Sequence, residues 1–162
     1  MSGIGVQAKP LEESPLCLCD TLRMTARAVT QVYDDALRPL GLRVTQFSLL
    51  ARAASMGPVE SWRLSEALGL DKTTFSRNLR PLERRKLIVI EAGEDRRTRL
   101  VHVTPAGEKL LKEASAYWRS VQASFKKRLH DGEFDRTLRQ LLRVRTAARQ
   151  QFFASNVVYT TN

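Results

Sequence analysis

The chain has 162 residues, 43% of them hydrophobic and 27% charged, which is the composition of a globular protein and excludes a disordered one. Its formal net charge is +10 and its pI is about 10.3, an excess that favours association with polyanions without determining the fold. No apolar run approaches the roughly 20 residues of a membrane span, and no signal peptide is evident, so we expect a cytoplasmic protein without a membrane partner.

The sequence contains few candidates for catalytic or metal-binding residues. Cys17 and Cys19 are too few and too close together for a disulfide framework, and the only histidines, His102 and His130, lie far from them in sequence. No Ser/His/Asp grouping and no phosphate-binding glycine loop stands out. We therefore expect no catalytic residue, no metal and no cofactor, and an enzyme is the least favoured function class.

The N-terminal third of the chain predicts a flexible arm followed by a long helix. Residues 1–14 mix Gly, Pro and Glu without periodicity. Between Pro15 and Arg38, apolar residues recur at spacings of three and four, as on one face of a helix. Pro39 and Gly41 end that helix.

A second helix is predicted from Thr45 to Ser55. Thr45 is a suitable N-cap residue, and Gly57-Pro58 breaks the helix at its other end. The residues expected to face inward are Phe47, Leu50 and Ala54.

Two further helices follow with only a tight turn between them. The first runs from Trp62 to Gly69, and Gly69 suits the left-handed turn that ends a helix. The second runs from Asp71 to Lys86, with Asp71 as its cap and a polar, basic outer face. Pro81 lies in the middle of it; proline usually kinks a helix at such a position, and the sequence leaves open whether this helix bends. A short helix, a glycine turn and a basic helix in succession are typical of a helix-turn-helix.

Two β-branched segments come next and predict a hairpin. They are Leu87–Ile90 and Arg99–Val103, separated by the charged turn Ala92–Thr98. A hairpin placed directly after a helix-turn-helix forms a wing, whose tip is the arginine-rich segment Glu94–Arg99.

Two long helices complete the chain, from Thr104 to His130 and from Glu133 to Ala154. The fold class is therefore mainly α with a small β-hairpin wing: a winged helix-turn-helix at residues 45–103, flanked by helices at residues 15–40 and 105–155. The flanking helices carry apolar stripes that a monomer of this size does not cover, which indicates a homodimer.

The position of the arginines points to double-stranded DNA as the partner. An α-helix fits the major groove, and side chains near its N-terminal half reach the base edges. Arginine at a hairpin tip suits a narrow minor groove. Asp95 is expected to orient the wing rather than to touch DNA. The predicted DNA-binding residues are Thr73, Thr74, Ser76, Arg77 and Arg80 in the helix and Arg96, Arg97 and Arg99 in the wing. Lys72, Arg80, Arg84 and Arg85 are placed for phosphate contacts rather than for base reading.

In order and spacing, these motifs resemble the MarR family of winged-helix regulators from about Leu16 to Gly107. The segments that carry the resemblance are Gly41–Phe47, Leu64–Leu68, Asp71–Arg77, Leu82–Arg85, Asp95–Arg97 and Thr104–Gly107. The resemblance implies a homodimer that binds a palindromic operator, more often as a repressor than as an activator, and that a small molecule or oxidation releases. It assigns Arg97 to the minor groove and Asp95 to the acid of the wing motif. Lys86 replaces the glycine often found where the recognition helix ends.

The resemblance also leaves two kinds of effector open. Members that sense organic hydroperoxides carry a reactive cysteine near the start of the first helix and a tyrosine about four turns later, and Cys19 and Tyr33 are in that register. A second tyrosine of that branch is Arg23 here, which weakens the match and leaves the alternative that Cys17 and Cys19 only pack as small apolar residues. A small aromatic or anionic effector is favoured, with Arg23 and Arg27 as candidate contacts.

The leading function is therefore a ligand-released repressor. A cysteine-based redox-sensing repressor, a winged-helix module that binds a protein, and an architectural protein that binds DNA regardless of sequence remain alternatives.

Overall fold

The computed structural model describes residues 17–93, 98–130 and 132–158, with side chains described as far as residue 150. The helices are α1 (Leu18–Leu37), α2 (Val44–Met56), α3 (Ser61–Leu68), α4 (Lys72–Arg84), α5 (Pro105–Arg128) and α6 (Glu133–Val158), and a 3-10 turn, Arg38–Leu40, follows α1. The strands are β1 (Val59–Glu60), β2 (Ile88–Ala92) and β3 (Arg99–Val103). This mainly helical architecture with a small sheet confirms the predicted fold class. No helix in the described ranges is long and apolar enough to cross a membrane.

The sheet has three antiparallel strands in the order β1-β3-β2. The predicted hairpin is present, with Ile90 opposite Val101 and Ala92 opposite Arg99. The strand β1, in which Val59 pairs with Val101, was not predicted from the sequence. A two-residue strand has no alternation for a sequence pattern to detect, and its pairing partner lies about forty residues away.

The chain divides into two compact units, the first ending at Leu111 and the second beginning at Lys112. The first unit contains the helix-turn-helix, the sheet and a core in which several side chains are fully buried. These include Leu37, Leu49, Leu50, Leu64, Leu82, Ile88 and Val101.

The inward face of α2 differs from the prediction at two positions. Leu49 and Ala53 are buried, whereas Ala54 is exposed. Thr45 is not the N-cap, because α2 begins one residue earlier, after Arg43. The carboxylate of Asp34 on α1 accepts the backbone N–H of Val44 at 2.7 Å, so a side chain from another helix satisfies this first donor.

The second unit contains the remainder of α5 and α6. Ala114 and Val121 are buried, but large apolar side chains of α6 remain open to solvent in the single chain. Leu138, Leu141 and Leu142 are 46%, 40% and 51% exposed. Because they recur at spacings of three and four, they form one apolar stripe along the helix.

Lys86 adopts the left-handed conformation that glycine favours, with φ of 55°. Its N–H donates to the carbonyl of Glu83 at 2.8 Å and the next N–H, of Leu87, donates to Leu82 at 2.9 Å, so the carbonyls at the end of α4 are satisfied. The hydroxyl of Thr104 donates to the Lys86 carbonyl at 2.7 Å and fixes the turn. The lysine therefore adopts a left-handed geometry that glycine takes without strain, at a cost of about 1–2 kcal/mol.

Replacing Lys86 by glycine is expected to stabilise the fold slightly. Relief of the left-handed strain, about 1–2 kcal/mol, outweighs the added backbone entropy of glycine, about 0.5–1 kcal/mol. Thermal unfolding followed by circular dichroism measures the difference. Lys86→Ala is the matched control, because it removes the same side chain and keeps the strain. A melting temperature that rises equally in both variants would show that the backbone conformation is not the cause.

Candidate nucleic-acid interface

The helix-turn-helix is built by α3 and α4. Gly69 ends α3 in the left-handed conformation, with φ of 63°, and its N–H returns to the carbonyl of Glu66 at 2.9 Å. This is the predicted tight turn, and Asp71 then begins α4. The predicted order of helix, glycine turn and capped helix is confirmed.

Asp71 holds the start of α4 with three hydrogen bonds. Its carboxylate accepts the Thr74 hydroxyl at 2.6 Å and the backbone N–H groups of Thr73 and Thr74, both at 2.9 Å. The side-chain bond from Thr74, followed by the backbone bonds, lowers the pKa of Asp71 below its ordinary value, because these donors favour the ionised carboxylate. The Thr74 hydroxyl is thus already used as a donor inside the protein.

Replacing Asp71 by alanine is expected to lower the melting temperature at neutral pH. A carboxyl whose pKa is depressed by folding stabilises the fold above its unfolded pKa and loses that effect as the pH falls through its folded pKa. The difference between wild type and Asp71→Ala should therefore shrink in acid. Thermal melts at neutral and acidic pH measure it, with the exposed Glu66→Ala of α3 as control. A difference that does not change with pH would contradict the role of the charged cap.

Pro81 does not interrupt the helix, since α4 runs unbroken from Lys72 to Arg84. Proline lacks an N–H, so the carbonyl of Arg77 has no helical donor four residues on. Arg77 is exposed, and Pro81 lies on the same open face of α4. On an open face a carbonyl without a helical donor costs less than it would in the core, which is consistent with a proline at this position.

One open concave surface lies along α4, and we call it the recognition face. It carries four cationic side chains and one carboxylate, so its field is positive. Its lining residues are Lys72, Thr73, Ser76, Arg77, Arg80, Pro81, Glu83 and Arg84. Four of the five predicted helix residues are brought together here, and Thr74 is the one that does not line it.

A second depression adjoins the recognition face between α3, α4 and the sheet. Arg99, predicted as part of the wing, lines this depression near Thr98 and Ile90. Lys72 and Ser76 line both surfaces and join them. The other predicted wing residues, Asp95, Arg96 and Arg97, lie outside the described residues, as does the N-terminal arm, residues 1–14.

Sequence reasoning missed two residues of this region. Trp62 lines the second depression, is 55% exposed, and has the Arg63 guanidinium 5.2 Å from its ring centroid. Asn78 accepts the Thr45 hydroxyl at 2.8 Å and donates to the Thr74 carbonyl at 2.8 Å, which ties α4 to α2. A large aromatic residue at the first turn of a short helix was a signal for Trp62, whereas no local pattern indicates the partner of Asn78.

The candidate effector residues lie on α1. Cys17 and Cys19 are both exposed free thiols, and Arg23 and Arg27 are also exposed. Tyr33 is buried in the core. The structure thus places Cys19 and Tyr33 on one helix but gives them different environments.

The fold and the recognition face define a winged helix-turn-helix protein. The chain is similar to MosR, a transcriptional regulator of M. tuberculosis solved in complex with DNA, with 36% identity over 83% of this chain and 97% of that one and a TM-score of 0.75. The fold also matches that of S. aureus MepR bound to DNA, with 20% identity over 83% of this chain and 99% of that one and a TM-score of 0.73. A MarR-family regulator from Rhodococcus sp. RHA1 has the same fold, with 24% identity over 80% of this chain and 96% of that one and a TM-score of 0.69.

An HTH-type transcriptional regulator of Bacillus subtilis strain 168, YwoH, is 28% identical over 96 residues, which are 59% of this chain and 70% of that protein. No family model matches the chain. On the strength of the MosR match, the chain belongs to the MarR family of DNA-binding transcriptional regulators. Because these relatives are transcriptional regulators, the prediction that the chain is not an enzyme is confirmed.

Proposed function

We propose that the protein is a sequence-specific repressor that binds a palindromic operator as a homodimer and is released by a small aromatic or anionic effector. The observation that carries the proposal is the recognition face, where Thr73, Ser76, Arg77 and Arg80 share one open, cationic surface on a capped helix. Arginine pairs bidentately with guanine, and short hydroxyl side chains bond to bases or phosphates. The 36% identical relative MosR, which was crystallised with DNA, supports DNA as the partner.

The homodimer is supported by exposed apolar residues outside the recognition face. Leu18 and Met24 on α1 are 59% and 63% exposed, and α6 has the leucine stripe described above. A two-fold dimer that buries these residues would present two recognition helices to two half-sites of an inverted repeat. In this proposal, residues 15–40 and 105–155 form the dimerisation region, and residues 45–103 with Arg96, Arg97 and Arg99 read the DNA.

Selection from a random-sequence duplex library tests sequence specificity and symmetry. We expect the full chain to enrich an inverted repeat and to bind it as two chains per duplex. The affinity should fall steeply with salt, because each phosphate contact contributes about −0.9 to the slope of log K against log salt. Equal affinity for selected and random duplexes would instead indicate an architectural protein, and no DNA binding at all would favour a protein-interaction module.

Effector release is tested with benzoate as the probe for a small aromatic anion. Arg23 and Arg27 on α1 are exposed cations to which a carboxylate can bind. We expect benzoate at millimolar concentration to weaken operator binding, and Arg23→Ala with Arg27→Ala to blunt that response while leaving DNA binding intact. An equal response in wild type and the double variant would remove these arginines from the proposal.

A redox-sensing repressor is the second candidate, because Cys19 is an exposed thiol in the first turn of α1 with Arg23 one turn later. A thiolate there would attack an organic hydroperoxide, so that sulfur is oxidised to a sulfenic acid while the O–O bond breaks and an alcohol leaves. Cumene hydroperoxide should then release the protein from its operator, and Cys19→Ser should not respond. Release that persists in Cys19→Ser would rule this candidate out.

A further inference from the structure

Arg85 follows directly after α4 and bonds to a distant part of the chain. Its Nη1 donates to the carbonyl of Gly41 at 2.7 Å and its Nη2 donates to the carbonyl of Leu40 at 3.1 Å. These two acceptors lie in the turn that ends α1 and precedes α2. We call this arrangement, Arg85 with the carbonyls of Leu40 and Gly41, the carbonyl clamp.

The clamp supplies hydrogen-bond donors to two backbone carbonyls, those of Leu40 and Gly41. Carbonyls at a helix C-terminus lack helical donors and carry partial negative charge. Arg38, which follows α1 directly, pairs its guanidinium with Asp35, and it is the Arg85 guanidinium that bonds to the carbonyls of Leu40 and Gly41. The two parallel donors of a guanidinium match two adjacent carbonyls, a geometry that a lysine ammonium does not reproduce.

The position of Arg85 differs from that of its neighbour. Arg84 lines the recognition face, whereas Arg85 does not. Arg85 was predicted to contact phosphate, but its guanidinium bonds to the protein backbone instead. Adjacent residues on a helix point about 100° apart, so two consecutive arginines can serve DNA and protein separately.

One other polar contact holds α4 on the same side. The hydroxyl of Thr45 in α2 donates to Asn78 at 2.8 Å, while the bond from Asn78 to the Thr74 carbonyl at 2.8 Å stays within α4 and holds the amide in place. Together, the Thr45 bond and the clamp tie the middle of α4 to α2 and its C-terminal end to the turn between α1 and α2. The orientation of the recognition helix is thus coupled to the end of a helix that carries the candidate effector residues.

We propose that Arg85 is a positioning residue, which sets the orientation of the recognition helix through the carbonyl clamp and makes no contribution to phosphate neutralisation. The inference rests on the proposed sequence-specific DNA binding. Base readout depends on placing side chains within hydrogen-bond distance of base edges, whereas non-specific binding depends mainly on charge. Loss of the clamp should therefore reduce operator affinity more than affinity for random DNA.

The test compares Arg85→Met, Arg85→Lys and Arg84→Met with the wild type on a selected duplex and on a random-sequence duplex of equal length, across a series of salt concentrations. For Arg85→Met we expect operator affinity to fall about tenfold, which is about 1.4 kcal/mol, with an unchanged salt slope and nearly unchanged affinity for random DNA. Arg85→Lys retains the charge but not the two parallel donors of the guanidinium, so its operator affinity should lie between those of wild type and Arg85→Met. Arg84→Met should weaken both duplexes and reduce the slope by about 0.9.

A salt slope that falls in Arg85→Met as it does in Arg84→Met, together with full activity of Arg85→Lys, would overturn the inference and make Arg85 a phosphate contact. Unchanged operator affinity in Arg85→Met would also overturn it. If circular dichroism shows that Arg85→Met does not fold, the operator affinities of Arg85→Lys and wild type are compared instead. A phosphate contact that needs only the charge predicts equal affinities, whereas the carbonyl clamp predicts a lower affinity for Arg85→Lys. A wild-type chain that selects no sequence would refute the proposed function itself, an outcome distinct from a defect confined to the variants.

Discussion

Replacing Leu138 and Leu142 together by glutamate is expected to convert the protein from a dimer into a monomer and to weaken operator binding by roughly a hundredfold or more. The two side chains are 46% and 51% exposed in the single chain and lie one turn apart on α6. In the proposed dimer they are buried against the partner, and two unpaired carboxylates at such a site are strongly unfavourable. A monomer contacts only one half-site, so it loses the contacts of the other.

Analytical ultracentrifugation measures the oligomeric state, and titration of the selected duplex measures the affinity. The matched control is Gln140→Glu with Ala147→Glu, which adds two carboxylates at exposed positions on the opposite face of α6. The control should remain dimeric and bind the operator. If the Leu138/Leu142 variant also remained a dimer, the leucine stripe of α6 would not be the interface, and α1 and α5 would be the remaining candidates for it.

Replacing Arg77 by alanine is expected to reduce operator affinity by roughly 1–3 kcal/mol, which is the discrimination that a bidentate arginine–guanine contact supplies. Arg77 is exposed, lies in the second turn of α4 and lines the recognition face with Thr73 and Ser76. Because the Asp71 cap fixes the first turn of the helix, the Arg77 side chain projects from a rigid segment. The loss should therefore be greater on the operator than on random DNA.

Competition binding on selected and random duplexes of equal length measures this difference. Arg52→Ala is the control, because Arg52 is an exposed arginine of α2 that does not line the recognition face. It should change both affinities little. Equal losses on both duplexes in Arg77→Ala would show that Arg77 contacts phosphate and would leave base readout to Thr73 and Ser76.

Local sequence signals determined the elements of the helix-turn-helix. Gly69 and Asp71 are two residues apart, and each acts on its own backbone neighbourhood, as the end of α3 and the cap of α4. The β3 segment Arg99–Val103 was predicted with its observed bounds, because β-branched residues and a charged turn are short-range features. The Thr104-Pro105 pair is a local signal of the same kind, and the Thr104 hydroxyl caps α5 by accepting the N–H of Gly107 at 3.1 Å.

Contacts between distant residues escaped the same reasoning. Thr45 has the residue type of an N-cap, yet α2 begins after Arg43, where Gln46 accepts the Arg43 N–H locally and Asp34 of another helix accepts the Val44 N–H. Lys86 has the wrong residue type for a left-handed turn, yet the bond from Thr104, eighteen residues away, holds it there. In both cases tertiary contacts override local preference by amounts of about 1 kcal/mol, which is the scale of the preferences themselves.

The arginines at the end of the recognition helix also show which properties local sequence determines and which depend on contacts between distant residues. Their number and spacing are in the sequence and were sufficient to predict a cationic helix directed at DNA. The sequence did not separate Arg84 from Arg85, because adjacent residues of one type carry the same local signal. The tertiary structure separates them: Arg84 lines the recognition face, while Arg85 bonds to carbonyls 44 and 45 residues away. The sequence thus determined which elements form and where their charge lies, and tertiary packing decided which charges remain available to bind DNA.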